Sequence, residues 1–271
     1  MKKIIFQIIV LVALFFGTWY ALSYANWMSI LRVEKISNAT EKKLGDLVWN
    51  FYSKSETEID NKEIVEPIDS LLTKICISNN IDRKKIKLHI LESDEINAFA
   101  LPDRHLVINT ALILSAKNEA ALSGVIAHEL AHMEMKHVMK KLVKEMGISA
   151  ILSISTGNAG SEIIKKVVKL ISSSAYDRKL EKEADTKAVD YLIKSKINPL
   201  PFADFMQRLA DKEADTPEYF NWISTHPDSK ERAQYIKDYS GQRLKKPEPV
   251  LSNDSWEKLQ VDLQNLKDLK S

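Results

Sequence analysis

The hydrophobic and polar positions are distributed most unevenly at the start of the chain. Ile4 to Leu22 is an apolar run of 19 residues without a charge; as a helix it would be about 28 Å long, close to the ~30 Å hydrocarbon core of a membrane. Lys2 and Lys3 precede it, and aromatic residues cluster at its far end. This pattern predicts a membrane helix with its N-terminus in the cytoplasm and the rest of the chain outside. A signal peptide cleaved before Asn26 is the alternative.

After this run the pattern predicts helices, interrupted by a few short strands. The stretches "KIKLHILES", "NAFALP" and "RHLVIN" predict three strands, the last two on either side of a turn at Pro102 and Asp103. Residues 26–80 have a mostly helical pattern, in which Pro67 marks a kink or a boundary. From Asn109 onward nearly everything has helical spacing, and Asn118 is the predicted N-cap of the helix "EAALSGVIAHELAHMEMKH".

Two later segments each allow two interpretations. Residues 147–174 are predicted to form a helix, a loop and a second helix, either as a plain connection or as a lid over a cleft. "KKPEPV" is typical of a linker, and the amphipathic helix after it could dock on the body of the protein or on a partner. We therefore expect four regions: 1–25 as anchor or signal peptide, 26–80 as a helical segment, 81–240 as the main domain, and 241–271 as linker and C-terminal helix.

Composition narrows the class of protein. The 271 residues suffice for one substantial core beside an anchor. The net charge of +2, without a basic stripe interleaved with aromatic residues, predicts no nucleic-acid partner. Cys76 is the only cysteine, which excludes an intrachain disulfide and a cysteine-based zinc site.

Candidate chemistry is concentrated in "AHELAHMEMKH". His128 and His132 are four residues apart and so project from one face of a helix, where two imidazoles can bind one Zn²⁺. Glu129, on the adjoining side, can reach a water molecule on the metal. Two surface histidines on a helix are the alternative interpretation. His137 lies five residues beyond His132, about 140° around a continuous helix, so we expect it to point away from the metal and to serve packing or hydrogen bonding.

A further ligand must come from elsewhere, and the run "YDRKLEKEADTKAVDYL" offers carboxylates. Glu181 and Asp185 share a helix face, so that Glu181 could bind the metal while Asp185 orients a histidine. Glu183 is rotated by about 200° from Glu181. Spacing alone does not exclude Glu183 as the ligand.

The motifs "NAFALP", "HELAHMEMKH", "EKEAD" and "STHPDSKER", in this order along the chain, resemble those of the HtpX- and BepA-type gluzincin metallopeptidases. The resemblance covers roughly residues 80–240. It implies an α+β, mainly helical, zincin-type domain with a small sheet at the cleft edge, beside the N-terminal membrane helix. It also implies that one Zn²⁺ per chain is bound by His128, His132 and Glu181, and that Asp185 orients a histidine ligand.

The resemblance suggests two further sets of residues. It implies that Asn97, Ala98, Phe99, Ala100 and Leu101 form the strand that lines the cleft and pairs with an extended substrate. It further implies that His226 and Arg232 lie near the metal, where they stabilise the oxyanion or where His226 plugs the zinc; a turn at the start of a helix is the structural alternative for His226. Asp103 and Arg104 follow Pro102 where the family commonly has glycine, which leaves the geometry of that turn open.

The predicted function is that of a zinc-dependent metalloendopeptidase, with Glu129 as general base, that cleaves exported or membrane-associated, misfolded polypeptides. The partners we expect are a polypeptide substrate and a membrane contacted by residues 4–22, in the bacterial cell envelope or periplasm. A chaperone-like zinc-binding factor with a latent peptidase is the main alternative. A membrane-embedded prenyl-protein protease fits poorly, since the catalytic helices are too charged to lie in lipid.

Overall fold

The structure is a computed structural model, and it describes residues 2–24, 38–157, 160–212, 220–241, 243 and 246–268. The chain divides into two units, Met1–Ser37 and Asn38–Ser271. The first unit contains helix α1, Lys2–Tyr24, whose large apolar side chains are mostly exposed. Over the residues described, none of the helices has the length and apolarity needed to cross a membrane. The apolar run is thus confirmed as a helix, and its membrane span is not confirmed.

The second unit is mainly helical, as expected from the resemblance. Its helices are α2 (Asn38–Tyr52), α3 (Lys62–Ser78), α4 (Thr110–Ser115), α5 (Glu119–Glu134), α6 (His137–Met146), α7 (Ile148–Ser155), α8 (Ser161–Ser173), α9 (Arg178–Lys194), α10 (Leu200–Lys212), α11 (Phe220–Thr225), α12 (Ser229–Ser240) and α13 (Asn253–Asp268). Pro67 lies inside α3, so it marks no boundary. Residues 158 and 159 in the loop between α7 and α8, and residues 26–37 of the predicted helical segment, lie outside the described part.

A small mixed sheet forms one side of this unit. Its strands are β1 (Thr57–Glu58), β2 (Lys87–Glu92), β3 (Ala98–Leu101) and β4 (His105–Asn109), in the order β1-β2-β4-β3. β2 and β4 are parallel, and β3 pairs antiparallel with β4. The three predicted strands are confirmed, and β1 is an addition too short to have an apolar pattern of its own. β3, the predicted cleft strand, lies at the edge of the sheet.

The core is built around α5, which is buried on all sides from Ala121 to His132. Asn118 caps it, with its side chain accepting a hydrogen bond from the backbone N–H of Ala121 at 2.9 Å. Gly124 allows α10 to approach closely, because a Cβ there would lie 2.2 Å from the Cβ of Phe202. The small and apolar residues of α5 therefore serve its central position, and its histidines are interior residues.

The C-terminal helix packs on this body. Trp256, Leu259 and Leu263 of α13 are buried in the main core. The segment before it is fixed by Glu119, whose carboxylate accepts hydrogen bonds from the backbone N–H groups of Val250 and Leu251. Of the two alternatives for the tail, the structure shows docking on the body.

Several turns contain residues with a left-handed backbone, and two of these turns bear on the predictions. The turn between β3 and β4 has Asp103 at φ 59° and Arg104 at φ 61°, a backbone conformation that glycine adopts more readily. α5 ends at Glu134, and Lys136, at φ 55°, separates it from α6. The prediction of one continuous helix up to His137 is therefore wrong, since the chain changes direction at Met135 and Lys136.

Candidate metal centre

Three predicted ligands converge in the interior of the second unit. His128 and His132 project from one face of α5, with their Nε2 atoms 2.9 Å apart. Glu181, near the start of α9, faces both: its Oε2 lies 3.6 Å from His128 Nε2, and its Oε1 lies 3.3 Å from His132 Nε2. All three side chains are at most 2% exposed. The two imidazoles and the carboxylate thus share one small buried space.

His226 completes a group of four. It follows α11, and its Nδ1 lies 3.1 Å from Glu181 Oε1 and 3.4 Å from His128 Nε2. Taken together, the ligand atoms of His128, His132, Glu181 and His226 all lie within 4.8 Å of one another. Donors bound to one tetrahedral zinc at ~2.0–2.1 Å are about 3.3 Å apart. The observed separations and the nitrogen and oxygen donors therefore fit a single zinc ion.

A second layer holds these ligands in place. Asp185, one turn after Glu181 on α9, places its Oδ1 2.8 Å from His128 Nδ1. Arg232 of α12 donates to both oxygens of Asp185 at 2.7 and 2.9 Å, and its Nη1 lies 2.6 Å from Glu181 Oε2. The Tyr235 hydroxyl also donates to Asp185. One buried guanidinium therefore pairs with both the Glu181 carboxylate and the Asp185 carboxylate.

Glu129 lies beside the four-residue group and has one oxygen free of hydrogen bonds. Its Oε2 accepts a hydrogen bond from the backbone N–H of Ala100 at 2.9 Å. Its Oε1 is buried without a hydrogen-bond partner, 3.5 Å from His226 Nε2. Burial, together with the charge of Glu181, raises the pKa of Glu129 well above its ordinary value. An orphaned buried carboxylate oxygen at this position fits a water molecule on a metal.

The ionisation of the ligands suits metal binding. Burial lowers the pKa of His132 and of His226 to about 4 each, and it also lowers the pKa of His128. Burial alone would raise the pKa of Glu181, but Arg232 and the nearby histidines hold that pKa well below its usual range. At neutral pH the site therefore offers neutral imidazoles and an ionised carboxylate, the forms that bind zinc.

The predicted cleft strand adjoins this centre but is covered. Asn97, Ala98, Phe99, Ala100 and Leu101 are all at most 4% exposed. The backbone N–H of Asn109 donates to the Asn97 carbonyl. Backbone groups of an antiparallel strand point alternately to its two sides, so the N–H and C=O groups of Ala98 and Ala100 point towards the outer edge of the sheet. α8 and α2 lie against β3, and the rings of Tyr52 and Phe99 are 5.2 Å apart. The site is thus closed in this structure.

Two aromatic residues near the centre were not predicted from the sequence. The ring of Tyr176 lies 4.2 Å from that of His132, and the ring of Trp222 lies 4.3 Å from that of His226. Trp222 precedes His226 by four residues, a spacing that could have indicated the contact.

Two residues lie elsewhere than the spacing suggested. His137, expected to point away from the metal, has its Nδ1 3.1 Å from His132 Nδ1. Glu183, left open as a ligand, lies outside the four-residue group, with its Oε2 3.4 Å from His137 Nε2.

A second set of possible ligands, Asp46, Asp103 and His105, is occupied by a cationic side chain. The Lys87 ammonium lies 2.6 Å from Asp103 Oδ2, 3.6 Å from Asp46 Oδ1 and 3.1 Å from His105 Nε2. A divalent ion would have to displace this ammonium. The set therefore forms an ion-pair cluster, and the group around Glu181 is the candidate metal centre.

The chain is similar to several known metalloproteases. It is 23% identical over 228 residues to the beta-barrel assembly-enhancing protease of Yersinia pestis, covering 80% of this chain and 46% of that protein. It is 28% identical over 218 residues to the metalloprotease LoiP of Escherichia coli, covering 75% and 81%. It is 28% identical over 172 residues to the mitochondrial metalloendopeptidase OMA1 of Bos taurus, covering 58% and 33%.

These relatives differ in how much of their length is matched. The chain spans less than half of the length of the assembly-enhancing protease and of OMA1, and most of LoiP. The sequence profile of peptidase family M48 matches residues 61–240, which include α3, strands β2, β3 and β4, and every residue of the candidate metal centre. The match begins within the region that the sequence analysis had set apart as residues 26–80. The chain therefore belongs to peptidase family M48.

Proposed function

We propose that this chain is a zinc-dependent metalloendopeptidase that hydrolyses peptide bonds of exported or membrane-associated, misfolded proteins. The observation that carries the proposal is the convergence of His128, His132 and Glu181 beside Glu129 Oε1, which is buried without a hydrogen-bond partner. A purely structural zinc site has no use for such a carboxylate. The family and the names of its relatives support the same reaction class.

The donor set fits zinc, and His128, His132 and Glu181 would bind it. Zinc in such a site supplies Lewis acidity, which activates a water molecule and polarises the scissile carbonyl. Asp185 keeps His128 in the tautomer with its proton on Nδ1, so that Nε2 presents its lone pair. Arg232 balances the charge of both carboxylates without contributing a ligand atom.

Glu129 performs the proton transfers in this proposal. Its Oε1 takes the proton from the attacking water and then delivers it to the nitrogen of the leaving amine. The N–H of Ala100 fixes the other oxygen and so holds the carboxylate in one orientation.

The contacts of His226 and Arg232 favour one of the roles considered for them. His226 Nδ1 lies among the ligand atoms, which supports a plug that occupies the position needed by water or substrate. The Arg232 guanidinium is engaged with Asp185, Glu181 and the His226 carbonyl. Arg232 is therefore proposed as a positioning residue, and stabilisation of the oxyanion would require His226 to leave the ligand group.

The substrate would bind as an added strand along the outer edge of β3. Ala98 and Ala100 face that edge, and a peptide backbone pairing there would pass beside Glu129. α8 lies against β3, and its residues Val167 and Ile171 are buried. We propose that α8, in the segment considered as a lid, must move away before a peptide can bind.

The closed site also supports a second candidate, a chaperone-like quality-control factor whose peptidase is latent. Every ligand and Glu129 are buried, and His226 lies within the ligand group. In that case the described state is the resting state, and cleavage would require a signal that opens it. The two candidates share the zinc centre and differ in whether the parent protein turns over substrate unaided.

Zinc analysis and casein degradation, with Glu129→Gln as the variant, test the proposal. The parent and the variant should each bind one zinc per chain, while the variant should cleave casein about 10²–10⁴-fold more slowly. Glu145→Gln, an exposed residue of α6, is the matched control and should cleave at the parent rate. Cleavage by the Glu129 variant at the parent rate would contradict its role as general base. Suppression of aggregation by both, without cleavage by either, would favour the latent factor.

The location outside the cytoplasm and the attachment to a membrane are further parts of the proposal. They are supported by the uncharged run Ile4 to Leu22, by the two lysines before it, and by the name of the assembly-enhancing protease. Within this proposal residues 1–25 are an anchor or signal peptide, 81–240 the peptidase domain and 241–271 the linker and C-terminal helix. Finding the protein soluble with Asn26 as its first residue would replace the anchor with a cleaved signal.

A further inference from the structure

His137 lies directly behind the metal ligand His132, although it was expected to point elsewhere. Its Nδ1 is 3.1 Å from the Nδ1 of His132, and its side chain is completely buried. The Nε2 of His132 faces the other ligands, so the contact is made through the nitrogen that remains. A ring that binds a metal through one nitrogen is oriented by the hydrogen bond that its other nitrogen donates.

The backbone between the two histidines changes direction so that this contact can form. On a continuous helix His137 would lie about 140° around the axis from His132. Instead α5 ends at Glu134, and Lys136 adopts φ 55° and ψ 32°, a left-handed conformation that is unfavourable for a residue with a side chain. α6 then starts at His137 itself. The break in the helix is what brings the second imidazole to the first.

The positions of the protons follow from the contacts. If Nε2 of His132 binds the metal with its lone pair, Nδ1 of His132 carries a proton and donates it to Nδ1 of His137. His137 must then carry its own proton on Nε2. That atom lies 3.4 Å from Oε2 of Glu183, the carboxylate available to it among the described residues. Nε2 of His137 makes no hydrogen bond, so the hydrogen-bonded series from the metal ligand ends at His137, with the Glu183 carboxylate beside it.

We propose that His137 is a positioning residue, which fixes the tautomer and the ring orientation of His132 and thereby sets the metal affinity of the site. The inference rests on the metal centre of the proposed function. The two histidine ligands would then be oriented by different groups. The buried carboxylate of Asp185 contacts Nδ1 of His128, and the neutral imidazole of His137 contacts Nδ1 of His132. Glu183 would also have a position beyond His137, in place of the ligand role that spacing had left open.

Zinc affinity, measured by competition with a chelator, tests this inference without any need for peptidase activity. His137→Leu keeps apolar volume but removes the acceptor, and we expect about 10–100-fold weaker zinc binding. His137→Asn places an amide oxygen near the position of Nδ1 and should restore affinity to within about 3-fold of the parent. His89→Leu is the matched control, because His89 also contacts a second histidine, His105, at 2.9 Å, outside the metal group.

Each outcome decides between the roles. Zinc affinity of His137→Leu equal to that of the parent, or equal losses in the Leu and Asn variants, would overturn the positioning role. If the Leu variant fails to fold without zinc, His137→Phe takes its place in the comparison with Asn. A parent protein that binds no zinc would instead refute the proposed function itself. Normal zinc affinity in the parent with no effect of His137 would refute the inference alone.

Discussion

Arg232 is the buried cation between two carboxylates of the metal centre, and its removal gives a large, testable effect on stability. Its side chain is 3% exposed, lies 2.6 Å from Glu181 Oε2, and donates to both oxygens of Asp185. Replacement by methionine keeps much of the volume but leaves Glu181 and Asp185 without their counter-charge. The structure therefore predicts a far larger loss than that of a surface ion pair.

The magnitude follows from the burial of all three groups. Removing one partner of a buried ion pair costs about 3–5 kcal/mol, since the remaining charge is left uncompensated in the interior. For a domain of this size, a loss of that magnitude lowers the midpoint of thermal unfolding by roughly 6–20 °C. Protonation of the carboxylates at low pH would offset part of the cost, so the effect should be greatest at neutral or higher pH.

The assay is urea unfolding of the parent and of Arg232→Met in EDTA at pH 8, which removes any contribution of zinc to stability. Arg243→Met is the matched control, because Arg243 pairs with Asp190 at 2.8 Å while its side chain is 42% exposed. That control should cost at most about 1 kcal/mol. A loss for Arg232→Met no larger than for Arg243→Met would refute the assignment of Arg232 as the cation that compensates the buried carboxylates.

Three further predictions concern the lid, the pH dependence and the turn beside the cleft. Ile171→Ala should loosen the packing of α8 and increase casein cleavage several-fold over the parent. Lys166→Ala, on the exposed face of α8, should cleave casein at the parent rate. Equal rates in all three proteins would argue against the lid. Burial lowers the pKa of His105, His132 and His226 to about 4 each from an ordinary value of 6.5. Between pH 6.5 and 4 the zinc-free folded state therefore binds fewer protons than the unfolded state. The urea concentration at the midpoint of unfolding should fall as pH decreases through this range, and the fall should be less steep in His105→Asn. Gly45→Ala should destabilise by about 1–3 kcal/mol, because its Cβ would lie 2.4 Å from the Pro102 carbonyl oxygen, while Gly160→Ala, with nothing within 4 Å, should change thermal stability little.

The parts of the site that follow from local periodicity could be predicted from the sequence. His128 and His132 are four residues apart on a helix, and that spacing alone brings their Nε2 atoms together. The N-cap at Asn118 was predictable for the same reason, since capping depends on residues adjacent in the chain. The choice of Glu181 over Glu183 needed the family resemblance, because a helix face does not reveal which neighbour it contacts.

The parts that depend on a change of chain direction could not be predicted. The predicted orientation of His137 was wrong because the sequence near Lys136 has no glycine or asparagine, the residues that usually indicate a left-handed turn. The position of His226 in the four-residue group depends on the packing of α12 against α9 and of α11 against α8, which no local pattern records. The closure of the cleft by α8 depends on contacts between segments about 70 residues apart in the sequence.

X-ray absorption at the zinc edge is the most direct test of the metal centre itself. Purified protein reconstituted with one equivalent of zinc should show only nitrogen and oxygen neighbours at about 2.0–2.1 Å, with outer-shell scattering from at least two imidazoles. Glu181→Gln should bind zinc more weakly and alter this first shell, while Glu183→Gln should leave it unchanged. A protein that binds no zinc, or a first shell indifferent to Glu181, would contradict the account.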